Sequence, residues 1–189
     1  TIPMAILQEE HGHIKRVLGI LTRFVGAAAS SNKVRPDKST LLRIVAVLKG
    51  FADGHHHAKE EKILFEYLIR QGFIAQEGPI AVLSHDHNLG RILMERLEVL
   101  GRTVDGWSAD QLSELQDAGW TYVSLMKDHI TKEDFVLFPM ASRILPPSES
   151  ANLAREFREF ESANAVALGG FLREIDALDA LLPAAVDSN

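Results

Sequence analysis

A motif that occurs twice constrains this chain more than any other feature of its sequence. The first copy, from His56, is His-His-Ala-Lys-Glu-Glu-Lys-Ile-Leu-Phe, and the second, from His129, is His-Ile-Thr-Lys-Glu-Asp-Phe-Val-Leu-Phe. Both copies place a glutamate four residues after the first histidine, giving the pairs His56–Glu60 and His129–Glu133. Residues four apart lie on one face of a helix, so each pair presents an imidazole and a carboxylate to the same side. Both groups bind metal ions, and the two pairs therefore predict two helices that share a metal site.

The composition fits one soluble domain and excludes several classes of protein. The chain has 189 residues, of which 46% are hydrophobic, enough for a sizeable core. Its net charge of −6 comes from interspersed acids and bases, which argues against nucleic acid as a partner. The absence of cysteine excludes disulfides and thiolate metal sites, and it is compatible with the cytoplasmic location that we expect. No apolar run approaches a membrane span and no signal-peptide pattern opens the sequence, so we expect no membrane partner.

Apolar residues recur with the period of a helix in five segments, and none of the segments alternates like a strand. The predicted helices cover about residues 4–29, 37–72, 78–101, 108–140 and 148–182, with a loop at 30–36. Asp37 or Ser39 is expected to cap the second helix, and Ser108 the fourth. Pro79 suits the first turn of the third helix.

Short connections between the first four segments predict antiparallel neighbours, because a short loop can only join adjacent helices. We therefore expect an all-α fold, an up-down-up-down four-helix bundle over residues 1–145. Residues 146–189 form an additional C-terminal helix that packs on the bundle or on a dimer partner. Pro139 is expected to kink or end the fourth helix, and Gly169-Gly170 to weaken the fifth.

The repeated motif decides between neighbouring histidines in the second helix. Leu64-Phe65 follows Glu60 by the same offsets as Leu137-Phe138 follows Glu133, so His56–Glu60 is the equivalent pair. His57 and Glu61 then lie about 100° around the helix. We interpret them as an exposed or boundary pair, with His57 left open as an extra ligand.

One histidine from each of the other two helices completes the predicted site. His11 continues the apolar stripe of the first helix, whereas His13 lies on a second apolar face. His87 lies on the buried stripe of the third helix, with His85 about 200° around from it. Because helices rise about 1.5 Å per residue, one histidine per helix can reach a comparable depth. We expect His11 and His87 in the site and leave the other two open as additional ligands.

Four charged residues flank these positions. Lys59 and Lys132, three residues after each motif histidine, are interpreted as solvated. Glu10 and Asp86 directly precede His11 and His87. They either accept hydrogen bonds from the ring nitrogens of metal ligands or lie on the surface.

Taken in order, four pieces of the sequence resemble the haemerythrin-like family, also called HHE cation-binding domains. The pieces are residues 10–14, 53–65, 78–91 and 129–140, and the resemblance covers about residues 4–142. It implies a four-helix bundle, the class that includes myohemerythrin, holding a non-haem di-iron centre with two bridging carboxylates. The ligands that it implies are His11, His56, Glu60, His87, His129 and Glu133.

The chain departs from the oxygen-carrying members of that family on the third helix. Those members have an additional histidine there, at His-x-x-x-His spacing, whereas here Leu83 and Arg91 stand four residues before and after His87. His85 has the wrong spacing to replace it. The smaller ligand set leaves coordination positions open, which favours redox chemistry or sensing over reversible oxygen carriage.

The expected function is to bind or sense oxygen or a related small oxidant at two iron ions, with a diatomic or peroxide molecule as the ligand. Two alternatives stay open: a redox enzyme acting on peroxide or nitric oxide, and a protein of iron homeostasis or with a structural zinc or other divalent metal. No substrate pocket or dedicated general base is evident in the sequence. A homodimer through the C-terminal helix is also open, and residues 143–189 have no assigned role.

Overall fold

The computed structural model describes residues 3–29 and 37–182, and the predicted loop at 30–36 lies outside them. Within the described ranges the chain forms six helices and no strand, which confirms the all-α class. They are α1 (Pro3–Ala29), α2 (38–70), α3 (Gly78–Gly101), α4 (109–144), α5 (Pro147–Ala163) and α6 (Ala165–Leu181). No described helix combines the length and apolar character that crossing a bilayer requires.

The predicted helix starts are confirmed by their capping interactions. Asp37 precedes α2, and its carboxylate accepts a hydrogen bond of 2.6 Å from the Thr40 backbone N–H. Ser108 and Gln111 form a reciprocal capping box at the start of α4. Pro79 occupies the first turn of α3, where its missing N–H has no intrahelical partner to lose.

Both copies of the motif contain a π-helical segment, a rare structure that is frequent at functional sites. In α2 the π segments are Leu48–His57 and Glu60–Leu64, and in α4 the segment is Glu133–Leu137. The Phe65 N–H donates to the Glu60 carbonyl, and the Phe138 N–H donates to the Glu133 carbonyl. Each of these bonds spans five residues instead of four, so the turn holds one extra residue.

The fourth helix does not end at Pro139, because α4 continues to Ile144. Pro139 directly follows the π turn, where the regular hydrogen-bond ladder is already displaced and its missing N–H is tolerated. The proline is not the cause of the π turn, since the equivalent turn in α2 forms without one.

The single C-terminal helix predicted from the sequence is two helices, α5 and α6, and the break is at Asn164, not at Gly169-Gly170. Asn164 has φ −111° and ψ 10°, and its side-chain amide donates to the Phe160 carbonyl at 2.7 Å. An asparagine side chain that bonds the backbone in this way competes with helix propagation. Both helices lie against α1, and the side chains of Ile175 and Leu178 of α6 are completely buried.

A layer of buried histidines and glutamates, called the charged layer, divides the interior into two apolar clusters. It contains His11, His56, His57, Glu60, His87, His129 and Glu133. Along α1, Met4 and Leu7 belong to the smaller cluster and Ile14 to the larger one, with His11 between them. Helix α3 passes through the clusters in the same order, and α2 and α4 pass through them in the reverse order. All four helices therefore bring their predicted ligands to the same layer.

Candidate metal centre

The structure brings all six predicted site residues together in the charged layer. Among the described residues, ligand atoms within 4.8 Å of one another form three groups. Two of them, His11–His56–Glu60–Glu133 and His57–Glu60–His87–His129, lie in the charged layer. In the third, Glu10–His55–Glu161, both acids accept hydrogen bonds from the Lys59 ammonium group.

Every side chain in the two groups of the charged layer belongs to a residue that is at most 3% exposed. The two groups in the charged layer are adjacent candidate ion positions, called position A (His11, His56) and position B (His57, His87, His129). Glu60 belongs to both groups.

The two carboxylates lie between the two positions. One oxygen of Glu133 is 3.0 Å from His11 Nε2, and its other oxygen is 3.1 Å from His129 Nε2. Glu60 repeats this arrangement, with one oxygen 3.5 Å from His56 Nε2 and the other 3.4 Å from His87 Nε2. Each carboxylate thus presents one oxygen to position A and one to position B, the arrangement that a bridging ligand requires.

The imidazole nitrogens at each position are close enough together to bind one ion. His11 Nε2 and His56 Nε2 are 3.1 Å apart, and so are His87 Nε2 and His129 Nε2. Nitrogens about 2.1 Å from a metal lie about 3.0 Å apart at adjacent octahedral corners and about 3.4 Å apart at tetrahedral corners. The His–His separations are nearer the octahedral value, whereas Glu60 lies 3.5 Å from His56 Nε2 and 3.4 Å from His87 Nε2, nearer the tetrahedral one. The distances therefore do not select one geometry, and the nitrogen and oxygen donors suit iron as well as zinc.

The carboxylates are the strongest indication that a cation belongs here. Both oxygens of Glu60 and Oε1 of Glu133 are buried without a hydrogen-bond partner among the described residues. A buried polar atom without a partner costs about 1–3 kcal/mol, and more when it carries charge. A divalent ion between the two carboxylates would satisfy these oxygens, so the residues fit a metal centre.

A carboxylate lies on the outer side of each of the five imidazoles, with an oxygen within 3.4 Å of the Nδ1 atom. The pairs are His11–Asp134, His56–Glu10, His57–Asp53, His87–Glu61 and His129–Asp86. The carboxylate forms a hydrogen bond with four of the imidazoles, whereas Nδ1 of His57 has no hydrogen-bond partner among the described residues. A proton on Nδ1 donates to the carboxylate and leaves the Nε2 lone pair free to face the interior. Such support fixes the ring orientation and raises the basicity of a metal ligand.

Glu10 and Asp86 are among these outer carboxylates, but each supports a histidine on a neighbouring helix. Glu10 lies 2.8 Å from His56 on α2, and Asp86 lies 3.4 Å from His129 on α4. Consecutive residues of a helix point about 100° apart, so neither acid can reach the ring of the histidine that follows it.

The interpretation of Lys59 as solvated is wrong. Its side chain is completely buried, and its ammonium group donates to Glu10 and to Glu161 of α5. The burial arises because α5 covers this part of α2, which the helical pattern of α2 alone does not show. Lys132 occupies the equivalent place in the second motif, where it donates to Asp86 and is 39% exposed.

The interpretation of His57 as exposed or at a boundary is also wrong. The ring is buried and stacks on the ring of His87 with centroids 3.9 Å apart. The π turn that ends at His57 holds one residue more than an α turn, so His56 and His57 both face inward. Burial, together with the charge of His87, lowers the pKa of His57 well below its usual value. A neutral imidazole at position B has a free lone pair for a metal.

The three remaining histidines lie outside the two groups. His85 is exposed, and His13 is half-buried with its ring edge against Phe51. His55, which is not among the predicted site residues, is buried with Nε2 2.8 Å from a Glu10 oxygen. Its one signal in the sequence is its place in a run of three histidines, which becomes meaningful only once the π turn is known.

Protonated imidazoles balance the buried carboxylates in the protein alone. Burial lowers the pKa of His129, but Glu133, Asp86 and Glu60 outweigh it and raise this pKa to about 10. Burial likewise opposes protonation of His11 and His87, yet Glu133 raises the pKa of the first and Glu60 that of the second. Burial raises the pKa of Glu133, but His129 and His11 hold it well below its usual range. A bound metal ion would replace these protons as the positive charge that balances the carboxylates.

Comparison with known proteins agrees with this geometry. The fold and the cluster of histidines and glutamates define a helical cation-binding protein. The family described as Hemerythrin HHE cation binding domain matches residues 3–141, so the chain belongs to that family, as the sequence resemblance predicted.

Similar proteins add no further description of function. Uncharacterized proteins of Mycobacterium bovis and of two Mycobacterium tuberculosis strains are each 26% identical over 158 residues, which are 82% of this chain and 59% of each relative. The chain thus spans about three fifths of the length of these curated relatives. No solved structure matches it significantly.

Proposed function

We propose that the chain is a non-haem di-iron protein that binds or senses oxygen or a related small oxidant. The observation that carries the proposal is that two completely buried carboxylates, Glu60 and Glu133, each face imidazoles at both ion positions. When bound, iron at positions A and B supplies the redox chemistry and the affinity for a small oxidant that side chains lack. The residues around the two positions hold the ligands in place and exclude bulk water.

The proposed scaffold is an up-down-up-down bundle of α1 to α4. It is supported by the alternating order in which the four helices pass through the two apolar clusters. Rigid helices hold ligands more firmly than loops do, and the outer carboxylates lock four of the five rings. The apolar clusters on either side of the layer exclude bulk water and favour a small uncharged ligand over a charged one.

The two positions are not equivalent in this proposal. Position B has three imidazoles because His57 is added to His87 and His129, whereas Ile130 stands at the place of His57 in the second motif. Position A has only His11 and His56. We therefore assign His57 the part of the additional histidine of oxygen-carrying relatives, and we place the coordination positions open to a small ligand at position A.

The surroundings of the site favour binding or sensing over turnover. Within residues 3–29 and 37–182, four of the five outer carboxylates already hydrogen-bond to an imidazole, and the fifth, Asp53, accepts from Arg91. None of them is free to relay protons to a bound oxidant, which an efficient oxidase or reductase needs.

The test is to load chelator-treated protein with ferrous iron under anaerobic conditions and then admit oxygen. We expect two iron equivalents per chain and a visible charge-transfer band that appears with oxygen. Glu60→Gln, which removes one bridging charge, is expected to abolish the band. Two bound irons with no spectral change would contradict oxygen binding. Decomposition of hydrogen peroxide or nitric oxide much faster than by free iron would instead favour an enzyme.

A further inference from the structure

The two halves of the metal-binding region carry equivalent contacts. In the first half, α1 and α2, His56 contacts Glu10, which also accepts from Lys59. In the second half, α3 and α4, His129 contacts Asp86, which accepts from Lys132. A residue in one half therefore has a counterpart in the other half, at the same number of positions before or after the equivalent histidine. Leu7, four before His11, corresponds to Leu83, four before His87.

In the first half, α5 covers the groove between α1 and α2. Leu153 and Phe157, one helical turn apart, are completely buried in the same apolar cluster as Leu7 and Leu64. Ile6 and Ile63 at the edges of the groove pack against that cluster as well. The first groove is thus filled by an amphipathic helix that inserts two apolar side chains.

Polar contacts fix the register of α5 in the first groove. Glu161, one turn after Phe157, accepts a hydrogen bond of 2.9 Å from Lys59. The Phe157 ring lies 5.6 Å from the same ammonium group. At the other end, Tyr67 donates to Glu156 at 2.6 Å.

In the second half, the corresponding groove between α3 and α4 is not covered by any helix of residues 3–29 and 37–182, and it is called the open groove. It forms a cavity of about 240 Å³ lined by Pro79, Val82, Leu83, Lys132, Val136 and Leu137. The counterparts of these residues in the first half are Pro3, Ile6, Leu7, Lys59, Ile63 and Leu64. Val82 is 47% and Val136 is 48% exposed, and Lys132 is 39% exposed where Lys59 is completely buried. The lining is almost entirely apolar apart from this one half-exposed cation.

We propose that the open groove binds an amphipathic helix of another protein, in the way that α5 occupies the first groove. The helix presents a leucine and an aromatic residue four apart, followed four residues later by an acid that pairs with Lys132. At the place of Tyr67 the second half has Met140, which is 39% exposed. The partner helix therefore has an apolar residue where α5 has Glu156.

The occupant is a different polypeptide and not a second copy of this chain. The helix with the required pattern in a second copy is α5, and its apolar face is already buried against its own first groove. The proposal is independent of which metal occupies the centre, since it rests on the groove and on Lys132.

A direct probe is a fluorescein-labelled synthetic peptide with the sequence of residues 147–163. The peptide carries the pattern of α5, so fluorescence anisotropy against the intact protein reports whether the open groove accepts such a helix. We expect a dissociation constant on the order of 100 µM, because a peptide of this length must also pay the cost of helix formation. Replacing Glu156 of the peptide by leucine, to match Met140, is expected to tighten binding, and replacing both Leu153 and Phe157 by alanine to abolish it.

Substitutions at exposed positions of the protein localise the binding. Val136→Glu and Val82→Glu each place a charge in the open groove and are expected to weaken binding by about tenfold or more. Val166→Glu is the matched control, because Val166 is 90% exposed on α6, and it should leave binding unchanged. Absence of binding, or equal binding by the Val136→Glu variant, would overturn the proposal, the latter because the peptide then displaces α5 from the first groove. A dimer that dissociates on Val136→Glu substitution would overturn it too, since a second copy would then be the occupant.

Discussion

Glu60 and Glu133 supply three of the six buried side-chain polar atoms that have no hydrogen-bond partner among the described residues. Each of the two side chains is completely buried. The imidazoles nearby supply positive charge in the protein alone, but they do not supply hydrogen bonds to these oxygens. A bound pair of cations supplies both charge and coordination.

Glu60→Gln keeps the shape of the side chain and removes its charge. We expect the variant to lose most of the stabilisation that metal gives the wild-type protein, which is about 2.7 kcal/mol when free metal is 100 times its dissociation constant. Thermal melts with and without added ferrous iron measure this difference. Glu66→Gln, at an exposed position of the same helix, is the control and should respond like wild type. An unchanged metal effect in the Glu60 variant would rule out a bridging role.

His57→Ala tests the third imidazole of position B. Its loss should weaken binding at one of the two positions by at least the 10- to 100-fold that is roughly typical of an outer supporting group. Metal content after dialysis against a competing chelator is expected to fall from two equivalents toward one. His85→Ala, which removes an exposed imidazole, should retain both ions. Two retained ions in the His57 variant would show that this ring is packing and not a ligand.

The six predicted site residues could be found from the sequence because regular spacing carries directional information. A histidine and a glutamate four apart face one way on any helix, and the second motif removed the ambiguity in the first. The burial of His57 and Lys59 could not be found in this way. The first depends on a π turn, which changes the directions of side chains, and the second depends on a helix far away in the sequence.

At the scale of helices, the close approach of α6 to the π segment of α2 explains one glycine. A side-chain carbon on Gly50 would lie 2.1 Å from the ring of Phe171, which is far inside contact distance. The ring and the helix backbone therefore pack directly on one another, and any larger residue must displace the Phe171 ring or α6.

Gly50→Ala is accordingly expected to destabilise the fold by about 1–3 kcal/mol through overpacking. Gly26→Ala is the matched control, because Gly26 is in α1 with nothing within 4 Å of its added carbon. There alanine should stabilise the helix by about 0.5–1 kcal/mol. Chemical denaturation measures both variants. The addition of Phe171→Leu should recover part of the loss at Gly50, and a stabilising effect of Gly50→Ala alone would contradict the packing.

Because α5 covers Lys59 but not Lys132, we expect the two motif lysines to contribute differently to the free energy of unfolding. Lys59→Met breaks a buried ion pair and leaves Glu10 without its ammonium partner, for an expected cost of about 3–5 kcal/mol. Lys132→Met breaks a half-exposed pair worth about 1 kcal/mol or less. The free energies of unfolding, measured by denaturant titration of both variants, give the comparison. Equal losses would mean that α5 does not cover Lys59 in solution.

Helix existence and most helix starts could be predicted, because periodicity and capping residues are local signals. The placement of α5 and α6 could not, since an apolar stripe shows which face is buried and not which surface covers it. The break at Asn164 was missed for a related reason. Gly169 and Gly170 have the lower helix propensity, but the helix breaks at Asn164, whose side chain hydrogen-bonds to the backbone.

At the scale of the whole molecule, metal binding and folding are coupled through protons. Because the pKa of His129 is raised to about 10 in the fold, its protonation stabilises the protein without metal below the ordinary imidazole range. That contribution is lost as the pH rises toward 10. Metal ions compete with the same protons, so their binding strengthens as the pH rises.

The rise in melting temperature caused by a fixed metal concentration should therefore be larger at pH 8 than at pH 6. The same series with Glu66→Gln should show the same trend, since that position lies outside the charged layer. A metal effect that is equal at both values, or larger at pH 6, would show that the imidazoles of the layer do not exchange protons for metal.

The proposed function requires two iron ions side by side between Glu60 and Glu133. Anomalous diffraction from crystals of iron-loaded protein, recorded across the iron and zinc absorption edges, tests it directly. We expect two peaks at the iron edge, about 3.5–4 Å apart, each beside one oxygen of Glu60 and one oxygen of Glu133. A single peak, a signal only at the zinc edge, or iron bound away from these two glutamates would contradict it.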